Sequence, residues 1–204
     1  IATVIFVLGM IVKIFEIFML GRKKNLAELR GSGIKEGFRT IITRSGHVDT
    51  YSTRNTRFTH IAGWVFHIGL FMTIFLLTPH IEVFKSIIGF AWPALPTPII
   101  DFATVIAMIT MLAMLFHRIT NPVLKYLSTG QDFVVWALTF TPLLTGYMAY
   151  HHLFFSYTLL LGLHILSVCL LLVFFPFTKL THAVTLFFAR WYNGMMAGEK
   201  GVQQ

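Results

Sequence analysis

Apolar runs long enough to cross a bilayer alternate along this chain with short polar or basic connections. Five runs stand out, at about Ala2–Leu20, Phe58–Thr78, Ile99–Phe116, Phe133–Tyr150 and Tyr157–Pro176. A membrane span needs ~20 mostly apolar residues, and only helices or closed barrels satisfy the backbone's polar groups in lipid. These runs are too long and too evenly apolar for barrel strands. The pattern therefore predicts an all-α integral membrane bundle of five transmembrane helices over residues 1–182. The stretch from Ala183 to Trp191 is apolar with one arginine and several aromatics. It predicts an interfacial cytoplasmic tail over 183–204.

The polar positions orient the bundle. Residues 21–57 carry Arg22, Lys23, Lys24, Arg30, Lys35, Arg39, Arg44, Arg54 and Arg57. Arg118 and Lys125 lie between the third and fourth runs, and Lys179, Arg190 and Lys200 near the end, while the opposite connections hold only Lys85. An excess of Lys and Arg marks the cytoplasmic side, so the N-terminus is expected outside and the C-terminus in the cytoplasm, as in a multi-pass protein of the cell's inner (plasma) membrane. Lys13 and Glu16 stand three residues apart within the first run and are expected to pair, facing the bundle. Composition agrees: 56% of residues are hydrophobic and only 12% charged, and the net charge of +8 is accounted for by the basic connections. That charge reports topology rather than nucleic acid, for which no aromatic–basic surface is present. The single cysteine, Cys169, excludes an internal disulfide, a cysteine-ligated iron–sulfur cluster and a CxxCH haem attachment.

Histidine is the unusual residue. There are nine: His47, His60, His67, His80, His117, His151, His152, His164 and His182. Polar side chains inside a bilayer are expensive and commonly functional. His60 and His67 are seven residues apart, which puts them within ~20° of one helix face and roughly 10 Å apart along its axis. His80 follows Pro79, falls about 140° off that face, and is expected in the outer loop. His164 and His182 are 18 residues apart, five whole turns if the helix continues past Pro176. Two antiparallel helices with two histidines each predict two stacked sites, His60 with His182 near the cytoplasm and His67 with His164 nearer the outside. Paired imidazoles saturate haem iron axially and suit it to one-electron transfer. Gly63, Gly69 and Gly162 offer small surfaces where a flat macrocycle can approach. The competing readings are a proton-coupled transporter that uses the same histidines without haem, and histidines hydrogen-bonded within the bundle. His47, His117, His151 and His152 are expected in surface or interfacial roles.

The stretch from Leu163 and His164 through Phe175-Pro176-Phe177-Thr178-Lys179-Leu180-Thr181-His182 resembles the last helix of the dihaem cytochrome b (gamma) subunit of respiratory nitrate reductase. His117-Arg118 with Asn121-Pro122 and Thr129-Gly130-Gln131-Asp132 is similar to that family's third-to-fourth loop, and Leu77-Thr78-Pro79-His80 to the end of its second helix. The resemblance covers residues 58–182, although the family's second-helix ligands are more widely spaced than His60 and His67. Gly37-Phe38-Arg39 and Arg54-Asn55-Thr56-Arg57-Phe58-Thr59-His60 are closer to the cytochrome b subunits of heterodisulfide-reductase-like and sulfite-reduction-associated complexes. The resemblance implies an oxidoreductase subunit: a quinone-reactive membrane anchor with two b haems. It would exchange electrons between menaquinone or ubiquinone and an iron–sulfur subunit, with a catalytic subunit, on the cytoplasmic face. It also implies a lysine near the quinone just beyond the second helix, which here is Lys85.

Overall fold

The computed structural model describes residues 1–20, 28–46 and 53–202. Arg22, Lys23, Lys24 and His47 fall outside them. Every regular element among the described residues is helical: α1 (Ala2–Met19), α2 (Gly33–Gly46), α3 (Thr53–Leu76), α4 (Thr78–Ile88), α5 (Thr97–Thr120), α6 (Pro122–Leu127), α7 (Gly130–Tyr150), α8 (Tyr157–Phe174) and α9 (His182–Glu199), with two 3₁₀ turns, Phe175–Phe177 and Lys179–Thr181, before α9. Five helical segments are long and apolar enough to cross a membrane: Ala2–Met19, Thr56–Leu76, Thr97–Thr120, Gly130–Tyr150 and Tyr157–Phe177. They coincide with the five apolar runs. The chain forms two compact units, residues 55–171 and residues 1–54 with 172–204.

In the 55–171 unit, α3, α5 and α7 meet on Phe66, Ala107, Met111 and Leu143, with Trp136 and Phe140 packed alongside. Lipid is as apolar as a leucine side chain, so helices in a bilayer associate through close packing of small residues and hydrogen bonds rather than through the hydrophobic effect. A side chain on Gly69 would meet the Ala103 carbonyl oxygen at 2.7 Å and Ala107 Cβ at 2.9 Å. One turn further, the buried hydroxyls of Thr73 and Thr104 lie 2.7 Å apart across the same seam. Gly69 therefore seats α3 on α5, and is spent on helix packing rather than on a macrocycle. Trp136 Nε1 donates to the Met111 carbonyl at 2.9 Å and ties α7 to α5. At the loop before α7, Asp132 closes a capping box with Thr129. Arg118 donates to Ser128 Oγ at 3.0 Å and lies 3.7 Å from Asp132.

Residues 1–54 with 172–204 hold α1, α2 and α9. Antiparallel α2 and α9 pack through glycines: an added Cβ on Gly37 would strike Trp191, and one on Gly198 would strike Glu36. As numbers rise along α2 they fall along α9, down to Ser45, which accepts from Arg190 Nη1 at 2.7 Å. The tail beyond residue 182 is thus a helix packed on part of the basic 21–57 segment, which itself contains an unforeseen helix. Lys13 and Glu16 do pair, at 2.8 Å, but with exposed side chains rather than turned inward.

Candidate functional site

Proline positions the first half of the site. Pro79 has no N–H to donate to the Phe75 carbonyl four residues back, and its ring would clash with that carbonyl, so α3 ends at Leu76 and Leu77 is extended, with φ −84° and ψ 130°. A helix end leaves its last carbonyls without partners. Here they are reused: Trp92 Nε1 donates to the Phe75 carbonyl at 2.6 Å, the Leu95 N–H to Leu76 at 3.1 Å, and the His80 ring, through Nδ1, to the Thr73 carbonyl at 2.8 Å. His80 does not lie in an outer loop, as its position after Pro79 had led us to expect. It sits in the first turn of α4, folded back on α3. An angle reckoned along an unbroken helix loses meaning across the break.

The second half comes from α7 and α8. His164 Nδ1 is 3.1 Å from the carbonyl of Pro142, inside α7, and 3.4 Å from Thr145 Oγ1. Thr145 also meets Ser167 Oγ at 3.2 Å. Gly146 makes this seat possible, since a Cβ there would lie 2.9 Å from His164 Cε1. Helix periodicity could not show it, because Gly146 acts across the α7–α8 contact.

His80 and His164 meet: their ring centres are 6.1 Å apart and the planes 23° from parallel. Two imidazoles on opposite faces of one metal ion hold their centres roughly 6 Å apart, given metal–nitrogen bonds of ~2.0 Å. Each ring directs Nδ1 at a main-chain carbonyl, so each donates there and leaves its lone pair on Nε2. Metal-bound histidines commonly show this arrangement. A bare metal ion normally takes three or more protein ligands, and among the described residues no group of three or more His, Cys, Asp or Glu side chains gathers. A pair of imidazoles instead suits a metal whose remaining positions a macrocycle fills.

The other candidates are placed as follows. His67 Nδ1 is 2.6 Å from the Gly63 carbonyl, one turn back on α3, and its ring packs between Phe66 and Phe71. His60 Nε2 is buried without a hydrogen-bond partner, an arrangement that costs ~1–3 kcal/mol unless something else binds there. A Cβ on Gly63 or Gly162 would meet nothing within 4 Å, so both keep the open surface expected of them. His182 starts α9 in the other unit, with Nδ1 2.8 Å from the Lys179 carbonyl. Pro176 and the two 3₁₀ turns interrupt the helix between His164 and His182, so the five-turn spacing does not describe one continuous face. Lys85 lies on α4, five residues past His80, with Glu82 Oε2 3.5 Å away and both side chains exposed. His117 packs edge-on to Phe58 at 4.8 Å. A groove of about 230 Å³ between α7 and α8, lined by residues that include Thr141 and Ser167, contains none of the histidines. It is smaller than the ~300–1,000 Å³ of ordinary ligand pockets.

No family model matches the chain, and no solved structure matches it. A protein of Nitratidesulfovibrio vulgaris strain Hildenborough is 36% identical to it over 146 residues, 72% of this chain and 64% of that protein. The chain thus spans less than two thirds of the length of this relative.

Proposed function

We propose that this chain is a membrane-anchor cytochrome b subunit that carries electrons between the quinone pool and an iron–sulfur subunit on the cytoplasmic face. The observation that carries the reading is the near-parallel His80–His164 pair at metal-sharing separation, each ring oriented by a main-chain carbonyl. These two residues would hold one b haem, so in this reading His80 takes the place of His67 as the partner of His164. A bound haem supplies reversible one-electron chemistry; the chain supplies the ligands, their orientation and the surrounding field. A second b haem rests on the sequence pattern alone, which leaves His60, His67 and His182 as the remaining candidate ligands. The orphaned His60 Nε2 supports a group bound beside that residue.

The charge pattern supports an external N-terminus and a cytoplasmic C-terminus in the cell's inner membrane. On that orientation the His80–His164 end faces outward, beside Lys85. An ammonium can donate to a quinone oxygen, so Lys85 is the candidate for holding quinone or quinol there. Lys35, Arg39 and Arg44 on α2 offer a basic surface for an acidic electron-transfer partner. Such steering weakens with salt.

The deciding experiment is a reduced-minus-oxidised spectrum of the purified protein, followed by acidic-acetone extraction. The expected result is a low-spin b-type spectrum with extractable haem. A folded, colourless protein would overturn the reading and return the histidines to a proton-coupled transporter. Charge reversal of Arg39 and Arg44 together is expected to lower recovery of the cytoplasmic partner and leave the haem intact. Lys85→Ala is expected to slow haem reduction by quinol severalfold without changing reduction by dithionite.

A further inference from the structure

A second polar constellation lies at the same end of the 55–171 unit. The N-terminal turns of α5 and the C-terminal turn of α7 are clasped there by two side-chain contacts. Thr97 Oγ1 meets Tyr150 Oη at 3.2 Å, and His151 Nε2 meets Asp101 Oδ1 at 3.2 Å. An ionised carboxylate only accepts hydrogen bonds, so the His151 proton resides on Nε2 and the lone pair is left on Nδ1. Among the described residues, Nδ1 has no hydrogen-bond partner. The pair is neither sealed nor fully solvated, with side chains 30% and 28% exposed. Tyr147 packs on the His151 ring at 4.4 Å and Tyr150 meets its edge at 5.3 Å.

A structural clasp alone would call for no more than this. The connection that follows, however, is held in an uncommon shape. His152 and Phe154 are non-glycine residues at φ +53° and +65°, a left-handed conformation that is costly and tends to persist at functional sites. The strain leaves Phe154 87% and Phe155 58% exposed, and stacks His152 on Tyr157 at 5.0 Å. Tyr147 and Tyr150 thus form an aromatic rim on a fixed, accessible base, and the exposed Phe154 and Phe155 follow it within four residues. His151 is six residues beyond Thr145, which touches His164; that is about 9 Å along the α7 axis. The base thus stands just above the proposed haem ligand, on the end away from Arg118 and Lys125.

We propose that the Asp101–His151 pair receives the hydroxyl protons of a quinol bound at this rim. The inference rests on the cytochrome b reading and names the proton acceptor for it. The quinol's O–H donates to His151 Nδ1. The two O–H bonds would break in turn, each proton passing to Nδ1 and then to water, while the two electrons would leave one at a time for a ferric haem that the electron-transfer partner reoxidises between them, and quinone remains. Asp101 holds the tautomer and stabilises the imidazolium while it carries the proton, as a carboxylate does for a catalytic histidine elsewhere. General bases of this kind contribute about a hundredfold or more to rate.

The test uses the haem-loaded protein, a short-chain naphthoquinol, and a fluorescent hydroxyquinoline N-oxide that binds as a quinol analogue but donates no electrons. His151→Gln keeps an amide to donate to Asp101 and an oxygen to accept the ligand's hydroxyl, but cannot take the proton. It is expected to bind the analogue within about threefold of wild type and to slow naphthoquinol reduction of haem tenfold or more, with dithionite reduction unchanged. His151→Phe is expected to weaken analogue binding about tenfold as well. A merely structural clasp would lower thermal stability in both variants and leave binding and quinol rate per haem at wild-type values; that result overturns the proposal and leaves the cytochrome reading standing. Wild-type protein that contains haem, yet neither binds the analogue nor accepts electrons from naphthoquinol, would overturn both.

Discussion

The two ends of α3 handle histidine differently. Along its unbroken turns, His60 and His67 share a face set by helical geometry, and His67 Nδ1 finds the carbonyl one turn behind it at 2.6 Å. At its broken end, His80 reaches the Thr73 carbonyl across the Pro79 interruption at 2.8 Å, and there it lies against a histidine from another helix, His164. A continuous helix can display ligands only at fixed steps of 100° and 1.5 Å. A proline break frees both the direction and the carbonyls needed to orient a ligand against a distant partner. The α8–α9 connection repeats the device: Pro176 interrupts the helix, and His182 follows with Nδ1 on the Lys179 carbonyl at 2.8 Å.

The contrast breaks most visibly by removing ligands. His80→Ala and His164→Ala are each expected to abolish the same spectral haem, whereas His67→Ala is expected to retain it. Loss of that haem from His67→Ala, with retention in His80→Ala, would restore the unbroken face as the ligand source. Restoring the helix comes next. Pro79→Ala returns an N–H to the backbone and favours continuation of α3, which would carry His80 away from His164. Haem per protein, measured as the pyridine haemochromogen, is expected to fall substantially. Gly146→Ala places a Cβ 2.9 Å from the His164 ring. It is expected to keep some haem with a shifted α-band and lowered occupancy, and an unchanged spectrum would show that the ring has room to yield. The smallest effect is expected from Trp92→Phe. It leaves the Phe75 carbonyl without its indole donor, a loss of about 1–2 kcal/mol read as a thermal-midpoint drop of roughly 2–8 °C, with haem retained.

The bundle was legible in the sequence because lipid imposes length and apolarity on every span. The five runs therefore appear within a few residues of the helices that form. His164 was legible as a candidate because an ionisable side chain is rare in such a run. His80 was misplaced for a specific reason: Pro79 announces that a helix stops, but not where the chain turns next. Gly146 and the Asp101–His151 contact carried no signal of their own, since each depends on helices whose approach no local pattern encodes. Gly69 showed the reverse error, a small residue correctly noticed and assigned to a cofactor when it serves the α3–α5 seam.

By itself, then, the sequence determined the helical character of the described residues, the five segments apolar enough to span a membrane and which histidines lie in or beside them, because hydropathy and residue type act locally. Only the tertiary structure decided which histidines meet. That choice depends on where broken helices redirect the chain, and on small residues that let one helix approach another to within the reach of a single imidazole ring.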